Sequence, residues 1–252
     1  METRTITDRI ATEVRADIVS GKAPPGAALP SEREFCDKYA ASRGTVRRAL
    51  ALLVNEGLVL SRAGQGYYVR SYQQLDWYPG TFEHLGLRRD TAEAGSDAWA
   101  ADVAAQSRTP SQAVDVSMIS PPEFVASRLG TPAGGLVAVR RRLRYVDLIP
   151  YQIADSYYPR DVAEHTPIMT PGDTTIPGGL MAAAGHPQVR FRDEITVRMP
   201  THDEVHRLDL PAGTPVGEHV RVGYNRDDRP VRVIVTIIPG DRHRIIYEVS
   251  AE

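Results

Sequence analysis

Residues 42–58 read SRGTVRRALALLVNEGL. At 100° per residue, Val46, Ala49, Leu50 and Leu53 share one face, the pattern of an amphipathic helix with a buried stripe. Gly44, Arg47, Arg48 and Ala51 fall roughly opposite, with Arg43 at the edge. Ser42 stands at the N-cap position and Gly57 where the helix must stop. Three arginines crowd the start of the segment, and its first acid is Glu56. Arg43 and Arg47 are neighbours at i, i+4, and a guanidinium can bridge guanine O6 and N7 or clamp a phosphate. The segment reads as a helix whose exposed face is built for a polyanion.

The flanking residues supply the rest of a small domain. Upstream, Ile6, Ile10, Val14 and Ile18 recur at helical spacing and predict a first helix ending at Ser20-Gly21. KAPPGAALP (22–30) cannot be helical, and Ser31 with Glu34 forms a capping box that opens a short helix to about Tyr39. Downstream, LVLSR (58–62) and YYVRS (67–71) flank Ala63-Gly64-Gln65-Gly66 and predict a hairpin with a glycine-rich tip. Three helices and a hairpin are the plan of a winged helix-turn-helix, assigned to residues 1–72. In such a unit the second helix of the turn presents its first turn to the major groove.

These residues carry a resemblance. LPSEREFCDKYAASRGTVRRALALLVNEGLVLSRAGQGYYV resembles the DNA-binding domain of the GntR family of bacterial transcription regulators, over nearly all of residues 4–70. The resemblance implies DNA contacts from Arg33, Ser42, Arg43, Thr45, Arg47 and Gly64, with Gln65 and Gly66 completing the wing tip. Gly44 stands where many members carry a hydroxyl, so a contact there is lost or made by backbone.

Composition narrows the chemistry. The 252 residues carry a formal net charge of −2, which by itself argues neither for nor against nucleic acid. Distribution matters more: from Ser42 to Arg70 there are five arginines against one acid. The only lysines are Lys22 and Lys38, so the C-terminal region has neither a Schiff-base lysine nor a P-loop lysine. The single cysteine, Cys36, cannot form an internal disulfide, which fits a reducing cytoplasm. No run of about 18 apolar residues predicts a membrane span, and the N-terminus lacks signal-peptide character. A cytoplasmic protein with no membrane partner is expected.

Residues 73–95 read as a linker, and residues 96–252 as a second domain. Its alternating segments predict a largely antiparallel sheet: AVDVSMI (113–119), GLVAVRRRLRYV (135–146), YQIADSYY (151–158), VRFRDEITVRM (189–199), VGEHVRVGY (216–224), RPVRVIVTII (229–238) and HRIIYEV (243–249). Short helices are expected near residues 121–129, 176–184 and 201–208. The whole chain is therefore α+β. An internal repeat relates the segment from 121 to the one from 200 at an offset of 79: Arg128/Arg207, Leu129/Leu208, Pro132/Pro211, Gly134/Gly213 and Val137/Val216 coincide. Duplicated halves pack about a pseudo-twofold, and a cleft between them is a natural ligand site.

The repeat, with RRLRYVDLIPYQIADSYYP (141–159), resembles the UTRA effector-binding domain of the HutC branch of that family, a chorismate-lyase-like fold, over about residues 95–248. It implies a small-molecule effector and a homodimer. By the family pattern Arg142 and Arg144 point at an anionic effector, and Asp155 and Tyr157 on the next strand are further candidate contacts. Sugar-phosphate-binding members carry a glutamate where this chain has Ala154, and serine and tyrosine where it has Gly179 and Met181; those positions do not transfer. Arg140 and Arg141 read instead as an exposed edge with cross-strand ion pairs.

Rival chemistries are weaker. HDEVH (202–206) spaces two histidines like a metal site, but Asp203 stands where a zinc-protease glutamate belongs, and the repeat's other copy has no histidine. No G-x-S-x-G elbow occurs, and the only wing-like G-x-G is followed by a strand. No metal, no cofactor and no catalytic residue is expected. The reading is a ligand-responsive regulator, most often a repressor, binding an inverted-repeat operator of double-stranded DNA as a homodimer. An alternative is a DNA-binding module fused to a lyase-like enzyme, and another makes the second domain a dimerisation platform only.

Overall fold

The computed structural model describes residues 5–62, 64–71, 74–80, 98–172, 176 and 179–248. Helix α1 (Ile6–Val19) opens on a capping box made by Thr5 and Asp8, a device not read from the sequence. Helix α2 (Glu32–Tyr39) starts on the expected Ser31/Glu34 box, and α3 (Arg43–Asn55) on Ser42. Strands β1 (Val59–Arg62) and β2 (Gly66–Val69) pair antiparallel, with Arg62 opposite Gly66. The four residues assigned to the inner face of α3 are all buried, against Ile10, Val14, Phe35, Tyr39 and Val59. The α1 stripe is narrower than its spacing suggests, because Ile6 is 44% exposed and Ile18 only half-buried. Arg15 on α1 grips Glu56 at the end of α3 (Nε–Oε2 2.8 Å), which holds the two helices in register.

The second domain is built on one six-stranded antiparallel sheet. Its strands are β4 (Pro110–Ile119), β5 (Val137–Val146), β6 (Ile149–Pro159), β7 (Arg190–Arg198), β8 (Val216–Tyr224) and β9 (Pro230–Pro239), in the order β4-β5-β6-β9-β8-β7. That order is the repeat made visible: each half is strand, helix, strand, strand, and the two third strands, β6 and β9, meet at the centre. The helices of the repeat are α5 (Glu123–Leu129) and α8 (His202–Arg207). Both cover one face of the sheet, where Val125 and Leu129 meet Val137, Val139 and Tyr157, and where Leu208 and Val205 meet Ile153 and Ile237. The opposite face packs Ala138 and Tyr158 against α6 (Arg160–Ala163), a 3-10 turn (Pro167–Met169) and α7 (Gly179–Ala183).

Three expectations are corrected. The described part of HRIIYEV, residues 243–248, does not join the large sheet: β10 (His243–Ile245) pairs in parallel with β3 (Leu75–Trp77). Residues 75–77, read as linker, are therefore a strand, fixed further by Gln106, just after α4 (Ala98–Ala105), whose side chain meets the Asp76 N–H and C=O at 2.9 Å each. The apolar pair Leu75 and Trp77 is buried, which a three-residue strand is too short to announce by alternation. Finally, Arg140 is not at an edge. It lies on β5, interior to the sheet, 1% exposed, and donates to the carbonyls of Ile168 (2.8 Å), Thr170 (2.7 Å) and Gly172 (2.8 Å). Arg141 does face Asp115 across the β4–β5 pair at 3.8 Å.

Candidate functional site

Two sites emerge, one on each domain. On the first, α3 leaves its N-terminal turn outward. The Ser42 hydroxyl accepts from the Thr45 N–H at 3.2 Å and lies 2.9 Å from the Thr45 hydroxyl, so the two side chains stiffen one another at the helix mouth. Arg43, Arg47 and Arg48 are exposed on the first turns of α3 and Arg33 on α2, and a methyl group added at Gly44 would meet only the Ser42 hydroxyl, at 3.9 Å. The positive end of a helix dipole, free N–H groups and exposed guanidiniums together favour phosphate and base-edge acceptors. Arg47 is held by Glu32 of α2, Nε to the two carboxylate oxygens at 2.8 and 3.0 Å. The hydrogen bond from Arg47 holds the Glu32 carboxyl below its usual range. In the wing, the Gln65 N–H donates to the Arg62 carbonyl at 3.0 Å, Gly64 and Gly66 take left-handed backbone, and Arg62 stacks over the Tyr68 ring at 4.5 Å. Ser42, Arg43, Thr45 and Arg47 thus lie at the cap and in the first turns of α3, Arg33 on α2 next to the Glu32 that holds Arg47, and Gly64–Gly66 on the turn between β1 and β2.

On the second domain, strand alternation divides the expected effector contacts. Arg142 and Arg144 point to the face of α6 and α7, with Gln152 and Ser156: Arg142 Nη1 donates to Ser156 Oγ at 3.2 Å and Arg144 Nη1 to Gln152 Oε1 at 3.3 Å. Arg144 also lies over the Trp99 ring at 4.7 Å. Asp155 and Tyr157 point to the other face, beneath α5 and α8. Tyr157 is in the core with Val125 and Leu129. Burial raises the Asp155 carboxyl, with Arg207 and Arg141 opposing. The four residues therefore do not line one site; a period of two sends odd and even positions of β6 to opposite faces. Two residues beside Arg142 escaped the sequence reading, Ser156 and Arg232. An arginine set among β-branched residues in RPVRVIVTII was the available signal.

The domains touch. Arg70, just after β2, donates to the Thr214 hydroxyl (2.7 Å) and the Gly57 carbonyl (3.1 Å), and pairs with Asp241 at 3.2 Å. Gly213 lies so close to the end of α3 that a Cβ there would fall 2.2 Å from the Asn55 carbonyl oxygen. Among the described residues no group of three or more potential ligands is placed to hold a metal, and no helix is long and apolar enough to cross a membrane. His202 and His206 lie with their Nε2 atoms 2.9 Å apart on α8.

A winged helix with an arginine-lined reading helix, joined to a duplicated sheet domain, defines a transcription regulator with a DNA-binding head and an effector domain. The GntR family of bacterial regulatory proteins matches residues 6–69, and the UTRA domain matches residues 105–244. The chain belongs to the GntR family, with the HutC-like pairing of winged helix and UTRA domain. An uncharacterized HTH-type transcriptional regulator of Streptomyces coelicolor is 30% identical over 256 residues, spanning 97% of this chain and 91% of its own. The HTH-type transcriptional repressor NagR of Bacillus subtilis is 25% identical over 95% of this chain and 92% of its own. Among solved structures, a GntR-family transcriptional regulator aligns over 99% of both chains with a TM-score of 0.62 at 22% identity. PhnF from Mycobacterium smegmatis aligns over 96% of this chain and 100% of its own with a TM-score of 0.58, also at 22% identity.

Proposed function

We propose that this regulator is a cytoplasmic, non-catalytic repressor that binds an inverted-repeat operator as a homodimer and answers to a small anionic effector. The observation that carries the DNA half is the cluster of exposed arginines and capped hydroxyls at the start of α3. Each subunit lays that turn in the major groove of one half-site, with the wing tip Gly64–Gly66 on the sugar-phosphate edge. Arg142 and Arg144, on one face of an interior strand, are the effector contacts. The homodimer is supported by β7, an edge strand exposing Ile195 (43%) and Val197 (73%), beside an apolar hollow lined by Pro215, Val216 and Ile238. An exposed apolar edge of this kind invites a partner strand. NagR is named a repressor, and the named relatives are regulators, which favours regulation over a lyase-like enzyme. Effector binding shifts the balance between two global states, by no more than its preference for one of them.

The test is a mobility-shift assay on DNA upstream of the protein's own gene, with random duplex as competitor. The intact protein is expected to prefer the genomic fragment. Arg43→Ala or Arg47→Ala is expected to weaken it roughly 5- to 150-fold where the side chain reads a base. Where it touches only phosphate, the loss is uniform across sequences and the salt slope shrinks. Equal affinity of the wild type for genomic and random DNA sinks the proposal.

A further inference from the structure

Two guanidiniums converge on one hydroxyl in the second domain. Arg142 Nη1 and Arg232 Nη2 donate to Ser156 Oγ at 3.2 and 2.9 Å. Arg142 is 8% exposed, and the Nε of Arg232 is fully enclosed with no hydrogen-bond partner among the described residues. Beside them the Tyr158 hydroxyl is fully enclosed, next to the Ser156 hydroxyl, with the Arg232 guanidinium 5.6 Å from its ring centre. Among the described residues no carboxylate pairs with either arginine. Burial raises the Tyr158 phenol, yet Arg232 and Arg142 outweigh it and leave the group more acidic than usual. Burial lowers the Arg232 guanidinium, and Arg142 and Arg221 lower it further.

The repeat supplies an internal control. At the offset of 79, Arg142 on β5 corresponds to Arg221 on β8, and Val114 on β4 to Asp193 on β7; each pair is directly opposed across its strand ladder. In the second half Asp193 takes two bonds of 2.6 Å from Arg221, and His219 Nε2 lies 3.1 Å away. The hydrogen bonds from Arg221 and His219 overcome burial and hold that carboxyl far below its usual range. In the first half the same arginine faces a valine, and a second arginine joins it. Arg140, by contrast, is solvated by three carbonyls. One half of a duplicated sheet thus neutralises its arginine from within, and the other does not. Buried charges without a partner are costly, and such costs concentrate at functional sites.

We propose that Arg232 is a second effector ligand, which with Arg142, Ser156 and Tyr158 holds a single doubly charged oxyanion head of the phosphate-monoester kind. A lone carboxylate would leave one guanidinium uncompensated. A phosphoryl group brings nearly two charges and three acceptor oxygens to two guanidiniums and two hydroxyls. The assignment rests on the anionic-effector reading above and adds to it a residue and a charge state.

Thermal unfolding of the full chain tests it, with inorganic phosphate, sulfate, succinate and chloride at matched ionic strength. The wild type is expected to gain roughly 3 °C or more in Tm with phosphate or sulfate, well beyond chloride or succinate. Two variants should lose that gain: Arg232→Met, which removes the second charge, and Val114→Asp, which copies the neutralising carboxylate of the other half. Both are expected to melt no lower than wild type without added anion, because an unpaired buried charge has gone; a purely structural arginine would give the opposite sign. A phosphate gain kept in Arg232→Met, or in Val114→Asp should the first variant not fold, overturns the assignment. If Arg142→Gln abolishes that same gain, the anionic-effector reading survives without Arg232. A wild type that responds to succinate alone, or to none of the anions, overturns the doubly charged head, and in the second case removes the support for an anionic effector as well.

Discussion

Arg47 is engaged twice over. Its place on the outer face of α3 suits DNA, yet in the free protein its guanidinium is held by Glu32. On the proposed contact, binding DNA through Arg47 exchanges one anion for another, with Glu32 as the competitor. Glu32→Gln is expected to tighten binding to all duplexes and to steepen the dependence of affinity on salt, read from titrations at several ionic strengths. A second residue bears on stability rather than binding. His243 is buried, with Nδ1 3.3 Å from the Pro239 carbonyl and its ring edge-on to Tyr151 at 5.5 Å. Burial pushes its pKa down to about 4. A depressed histidine stabilises the fold above its unfolded pKa, and that stability drains as pH falls from about 6.5 toward 4. The loss reaches roughly 3 kcal/mol at the bottom of the window. His243→Asn keeps a donor near Nδ1 and is expected to flatten the difference between urea midpoints at pH 7 and pH 4.5.

At the scale of elements, α3 stands on its buried stripe. Leu50 is 0% exposed, and Leu50→Ala is expected to cost about 2–5 kcal/mol of stability, seen as a lower denaturation midpoint. The winged helix was legible because its signals are local: caps at Ser31 and Ser42, a 3.6-residue stripe, and glycines at the wing tip. The large sheet was legible as strands, and the repeat foretold that its halves would match. What escaped were features that depend on distant partners. β3 has three residues and is a strand only because β10 lies beside it. Asp155 and Arg142 both suit a polar site, but the pleat and the β5–β6 register place them on opposite faces. Arg232 acquires meaning only through Ser156, which lies 76 positions away in the chain.

For the whole molecule, the contact between its two domains runs through a turn that the repeat contains twice. Gly134 and Gly213 are equivalent, with φ of 74° and 75°, so alanine pays the same left-handed strain at either, about 1–2 kcal/mol. Their surroundings differ: nothing lies within 4 Å of a Cβ at Gly134, whereas one at Gly213 collides with the Asn55 carbonyl. Gly213→Ala is therefore expected to lower Tm more than Gly134→Ala and to alter operator affinity, while Gly134→Ala leaves that affinity as in wild type. Calorimetry and a binding isotherm on the pair check both. Duplication has thus built its own yardstick into the chain. One substitution, made at two sites of matched backbone, subtracts local distortion and leaves the free energy that seats the reading helix on the sensor.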